Sequence, residues 1–149
     1  MGTKERLADD MKEAMKSKDR LKLSTIRLVR AEIKNAEIEK GESLNEDDVT
    51  GVLARELKKR RESMVLYEEG GRPELVEKEG KEAAILEEYL PEQLGHEEVE
   101  ALVDEAIEAT GAGSVKEIGK VMGILMPKVK GRADGTVVSG IVKAKLGAG

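Results

Sequence analysis

Aromatic side chains are nearly missing from this 149-residue chain, which has two tyrosines, Tyr67 and Tyr89, and no phenylalanine or tryptophan. Strands of sandwiches and barrels draw on β-branched and aromatic residues, so the shortage argues against an all-β fold. Cysteine is absent and histidine occurs once, at His96. Disulfides, a cysteine nucleophile and a zinc site of ordinary Cys/His composition are thereby excluded. A Ser-His-Asp arrangement could draw only on His96. No apolar run approaches the roughly 20 residues that a membrane-spanning helix needs. The opening "MGTKERLADD" lacks the apolar core of a secretory signal, and Arg6 stands where a myristoylation pattern has Ser or Thr. The expectation is a cytoplasmic protein with no membrane contact, no metal and no cofactor.

What the chain does have is charge, at 38% of residues, interleaved with Leu, Ile, Val, Met and Ala. Such a charge fraction can signal disorder. Here the apolar residues recur at helical spacing, so the fold class expected is all-α. The charge is unevenly distributed. Residues 114–149 carry seven Lys/Arg and two Asp/Glu, whereas residues 1–113 carry 19 and 29. A basic end on an acidic body points to a surface that faces a polyanion.

Seven helices are expected along the chain. Thr3 is read as the N-cap of the first, whose stripe is Leu7, Met11, Ala14 and Met15 and which ends near "KSKD". The second spans about Asp19 to Lys40, with Gly41 as its left-handed C-terminal residue. Asn45 and Asp48 resemble a capping arrangement for the third, which Gly70 and Gly71 end. Pro73 opens a fourth that reaches Tyr89. Pro91 and Gly95 then mark a boundary between a helical N-terminal domain, 1–94, and a compact three-helix C-terminal domain, 95–149. In the second domain one helix closes at "TGAG". Ser114 and Glu117 form a capping-box pattern for the next, and Pro127 is expected to stop it. The last helix runs to about Leu146, with "GAG" fraying.

"GAGSVKEIGKV" invites a nucleotide-loop reading, but Gly113 and Gly119 are one residue too far apart for a P-loop, and Val121 replaces the magnesium-binding hydroxyl. No strand precedes it, as a dinucleotide fold requires. Gly119 and Gly123 share one helix face. Each costs about 1 kcal/mol relative to Ala, so a compensating contact is expected, as close packing within the small domain or as approach by a ligand. Met122 and Met126 are read as core filler, with an adaptable contact surface as the alternative. The "KKRRE" cluster at Lys58 to Arg61 is read as solvated surface, and no catalytic constellation is found.

The main functional signal is the set Lys116, Lys120, Lys128, Lys130, Arg132 and Lys143, with Lys145 nearby. Lys128, Lys130 and Arg132 sit in a turn that feeds a helix N-terminus, where free N–H groups favour phosphate. Glycines such as Gly119, Gly123 and Gly131 let a phosphodiester backbone come close. Base-stacking aromatics are lacking in this region, so recognition of RNA shape and backbone fits better than base reading.

"ILEEYLPEQL" and "GKVMGILMPKVKGRADGTVVSGIVKAKL", with the N-terminal "RLADDMKEAMKSKDRLKLSTIRLVRAEIKNAEI" and "LKKRRES", resemble the GatB/YqeY-domain family in its stand-alone form, over essentially the whole chain. The tail pattern carries over at Gly119, Lys120, Val121, Met122, Gly123, Met126, Lys130, Gly131, Ala133 and Asp134, while Ile118 stands where Met or Leu is expected. The resemblance implies a C-terminal domain similar to the tail of the B subunit of aspartyl/glutamyl-tRNA amidotransferase. There the module contacts tRNA and catalysis lies elsewhere. The expectation is therefore a monomeric, non-catalytic factor that binds tRNA, with the amidotransferase or an aminoacyl-tRNA synthetase as protein partner. The alternative is a helical protein–protein adaptor without direct RNA contact.

Overall fold

The computed structural model describes residues 2–148. It contains seven α-helices and no strand among them: α1 Thr3–Ser17, α2 Arg20–Lys40, α3 Glu46–Glu69, α4 Pro73–Glu87, α5 His96–Thr110, α6 Ile118–Val129 and α7 Gly135–Ala148. A short 3-10 turn, Val115–Glu117, leads into α6. The chain is all-α, as its composition implies. Contacts gather the helices into two compact units that meet in sequence at Pro91 and Glu92.

In the first unit α3 and α4 lie along one another and α1 and α2 form an antiparallel pair. Its core is built from Leu7, Ile26, Val29, Val49, Leu53 and Leu86, all almost fully buried. Truncating one such leucine to alanine costs about 2–5 kcal/mol. The helix ends follow the local signals closely. Asp19 accepts a hydrogen bond from the Lys22 N–H, Asn45 and Asp48 form the reciprocal capping box, and Gly41 takes the left-handed conformation at φ 81°. Thr3, however, is not a cap. Gly2 fills that position, and both the N–H and the hydroxyl of Thr3 donate to the Glu46 carboxylate, at 2.9 and 2.8 Å. Those two bonds hold the Glu46 pKa below its usual value and fasten the start of α1 to the start of α3. The fourth helix stops at Glu87, and Tyr89 follows it as a buried turn residue whose hydroxyl donates to Asp10.

The "KKRRE" cluster departs from a solvated surface at one position. Arg60 is 7% exposed and donates to the Glu56 carboxylate at 2.7 Å, itself buried, with Glu82 of α4 beyond. The Arg60 Nε has no hydrogen-bond partner among the described residues.

The second unit packs α5, α6 and α7 around Val99, Val103, Val121, Leu125, Val129, Val138 and Val142. Two expectations fail at its centre. Ser114 makes no capping hydrogen bond, and the 3-10 turn intervenes before α6. The Glu117 carboxylate instead accepts from the Gly113 N–H at 3.2 Å. Pro127 does not end α6, which runs on to Val129. A proline within a helix presses its ring on the carbonyl four residues earlier. Here that residue is Gly123, which has no side chain to hinder the adjustment, and only one turn of helix remains. α7 extends to Ala148, past the expected frayed end, and Gly149 lies outside the described residues.

Candidate nucleic-acid interface

The periodicity of α6 separates a core face from a solvent face. Val121, Leu125 and Val129 point inward, whereas Gly119, Lys120, Gly123, Met126 and Pro127 are exposed. A Cβ added at Gly119 or Gly123 would meet no atom within 4 Å. The close-packing explanation for these two glycines is thus corrected: nothing among the described residues packs against them. Gly119 and Gly123, four residues apart, leave helix backbone bare to solvent on one face, with the exposed Pro127 next in the same row.

Lysines edge this line. Lys116 is exposed on the 3-10 turn, Lys120 sits one position from Gly119 with its ammonium 3.7 Å from Glu117, and Lys130 is exposed at the C-terminal end. Lys128 is exposed one position from Pro127, as Lys120 is from Gly119, and Lys143 is exposed on α7. Lys145 is engaged by Asp104 at 2.9 Å, and that hydrogen bond raises its pKa. Met122 packs against the core while Met126 remains 40% exposed, as does Val137 at 51%.

The turn after α6 has a structural task that its basic composition conceals. Gly131 adopts φ 74°, a left-handed value that favours glycine. Its carbonyl accepts from the Gln93 side chain at 2.7 Å, and the Arg132 carbonyl accepts from the Leu94 N–H at 2.8 Å. The Arg132 Nε donates to the Glu92 carbonyl at 3.1 Å. Arg132 and Gly131 therefore clasp the 92–94 segment. The N-terminus of α7 is also occupied, since Asp134 accepts from the Thr136 N–H at 2.9 Å. A carboxylate cap uses a donor and adds negative charge, so this end is not the open phosphate seat suggested by the preceding basic turn. The bare face of α6 is the better one.

The second unit is electrically polarised. Residues 92–113 contain seven Asp/Glu and no Lys or Arg, and Glu97, Glu98, Asp104, Glu105 and Glu108 of α5 are exposed. The seven basic residues of 114–149 lie on or beside α6 and α7. His96 stands apart with Glu100, 3.0 Å away and exposed.

These features define an all-helical protein that carries a lysine-edged, side-chain-poor helix face. The chain belongs to the Yqey-like protein family, whose profile matches residues 4–146. It is 34% identical over 146 residues to "Altered inheritance of mitochondria protein 41, mitochondrial" of Pyrenophora tritici-repentis, covering 96% of this chain and 80% of that protein. With the protein of the same name from Kluyveromyces lactis the identity is 42% over 101 residues, 65% of this chain and about half (54%) of that one. A shorter stretch of 57 residues, 36% of this chain, is 42% identical to 9% of a glutamyl-tRNA(Gln) amidotransferase subunit from Thermococcus gammatolerans. The cytoplasmic expectation is overturned by the first two relatives, which are named as mitochondrial proteins. That expectation rested on the lack of an apolar leader, which speaks only to secretory signals.

Proposed function

We propose that the protein is a non-catalytic tRNA-binding accessory factor of glutamine-dependent tRNA amidation, and that it meets the RNA backbone with the solvent face of α6. The observation that carries this reading is the open line at Gly119 and Gly123 beside Lys116, Lys120 and Lys130. A phosphodiester strand gains from lysines that neutralise phosphates and from bare backbone that lets it come near. The 57-residue likeness to an amidotransferase subunit named for Glu-tRNA(Gln) supports tRNA as the RNA and the amidotransferase as a partner. An aminoacyl-tRNA synthetase is the other partner class. The RNA-binding part is the domain 95–149, with the protein acting as a monomer.

Filter binding of bulk tRNA at low salt tests the proposal. Lys116→Ala/Lys120→Ala/Lys130→Ala should lose most of the binding, and undetectable binding by the unmodified protein would sink it. Arg132 is better left in place, because its loss would loosen the clasp on residues 92–94. The exposure of Met126 and Val137 favours the adaptor as a second reading. Under it, capture of purified amidotransferase would survive the lysine variant and fail in Gly123→Leu.

A further inference from the structure

We propose that the groove between α1 and α2, in the first unit, docks an acidic amphipathic helix of a partner protein. A cavity of about 460 Å³ opens there, within the range of ligand pockets, about 300–1,000 Å³. Leu7 and Ile33, both core residues almost fully buried, close its base beside the exposed Ala31, and Lys4, Arg30, Lys34 and Glu37 edge it. Lys4 is paired with Glu37 at 2.7 Å. Arg30 and Lys34 form no ion pair among the described residues.

Past the cavity the two helices run on side by side. Arg30 donates to the Met11 sulfur at 3.1 Å, which sets Met11 opposite Arg30. Helical spacing places Met15, 51% exposed, on the same side of α1 as Lys4 and Met11. On α2 it places exposed Arg27 beside Arg30 and Lys34, whereas Glu32 and Glu39 lie round the other side. One wall is therefore apolar and methionine-rich and the other basic. This is the complement of a helix with a leucine stripe flanked by glutamates, the helix-in-groove arrangement, with methionines supplying adaptable contact. A nucleic acid would gain from the cations but not from the exposed Met15 and Ala31, and no aromatic lines the cavity for stacking.

The test uses the full-length protein and fluorescence anisotropy. The probe is a labelled synthetic helix of about 15 residues, the length at which an isolated helix begins to hold in water. It carries leucines at i, i+3, i+4 and i+7 with flanking glutamates. An isomer with the same composition and scattered leucines, and an oligouridylate, are the controls. The amphipathic peptide should bind saturably and at least about tenfold more tightly than its isomer. Arg30→Glu/Lys34→Glu should weaken it by about tenfold or more and transfer preference to the same peptide with lysines for glutamates. Circular dichroism of the variant checks that both exposed positions leave the fold intact. Equal binding of the two isomers, or binding unchanged by charge reversal, overturns the proposal. Binding of the oligouridylate alone overturns it in favour of a nucleic-acid groove.

Discussion

Lys18 holds a left-handed conformation, φ 61°, the one non-glycine residue with positive φ among those described. It ends α1, and the Asp19 N–H reaches back to the Ala14 carbonyl at 3.0 Å, so the next residue can cap α2 at once. That two-residue turn leaves Lys18 at a position where glycine is the usual occupant. Lys18→Gly should therefore stabilise the protein by about 0.5–1 kcal/mol, read as a higher urea midpoint at unchanged slope; a lower midpoint would contradict the strain argument. Glu79 on α4 gives a pH-dependent counterpart. Burial, and next the Glu82 carboxylate, raise its pKa above 4.5, and Arg60 offsets this only in part. A carboxyl whose folded pKa is raised binds its proton more tightly in the native state. Its contribution is full below the unfolded pKa and is lost as pH rises through the folded one. Glu79→Gln fixes the neutral form, so Tm should rise at about pH 7 and stay unchanged at about pH 4. Equal shifts at both pH values would refute the assignment to Glu79.

At the scale of the element, α6 sets stability against contact. Gly123 lies mid-helix with open space around it, so Gly123→Ala should stabilise the protein by about 1 kcal/mol while weakening tRNA binding by holding the backbone away. Gly51, mid-helix in α3 and also in open space, is the control: Gly51→Ala should stabilise to a similar degree and leave binding untouched. Stabilisation without any loss of binding at Gly123 would remove the bare face from the interface. The same helix shows where sequence stops being informative. Asp19, Gly41, Asn45 with Asp48, and Pro73 mark ends through interactions within four residues, so their patterns could be read directly. Pro127 and Ser114 carry equally strong local signals that tertiary packing overrides: the core contacts of Leu125 and Val129 hold α6 together past its proline. The spacing of Gly119 and Gly123 shows that they share a face but not which face. Arg60 had a legible hint, the i, i+4 spacing from Glu56, but its burial depends on α4. The Arg132 clasp and the α1–α2 groove join residues distant in sequence, and no local pattern announces them. The lysine set was legible as composition.

For the whole molecule, a net charge of −5 means that a polyanion is repelled on average and must be met by a favourable side. Lys116, Lys120, Lys130 and Lys143 are exposed around α6 and α7, while the exposed acids of α5 occupy the same unit. Binding governed by those lysines should release condensed counterions, and log K should fall with log salt at about 0.7–0.9 per phosphate neutralised. If all four engage, the slope is about −3 to −3.5. Lys116→Ala, Lys120→Ala and Lys130→Ala, taken singly, should each make it shallower by a little under one unit. Lys145→Ala should leave it almost unchanged, because Asp104 already engages that ammonium. Neutralising Glu105 and Glu108 of α5 should strengthen binding at low salt and lose its effect above about 0.15 M, where the Debye length shrinks to about 8 Å. Titrations of bulk tRNA across a salt series measure all of these. A slope near zero would mean that the affinity is not electrostatic and would turn attention to the exposed Met126 and Val137. A steep slope that survives all three single lysine variants would move the contact off α6 altogether, to the basic wall of α2.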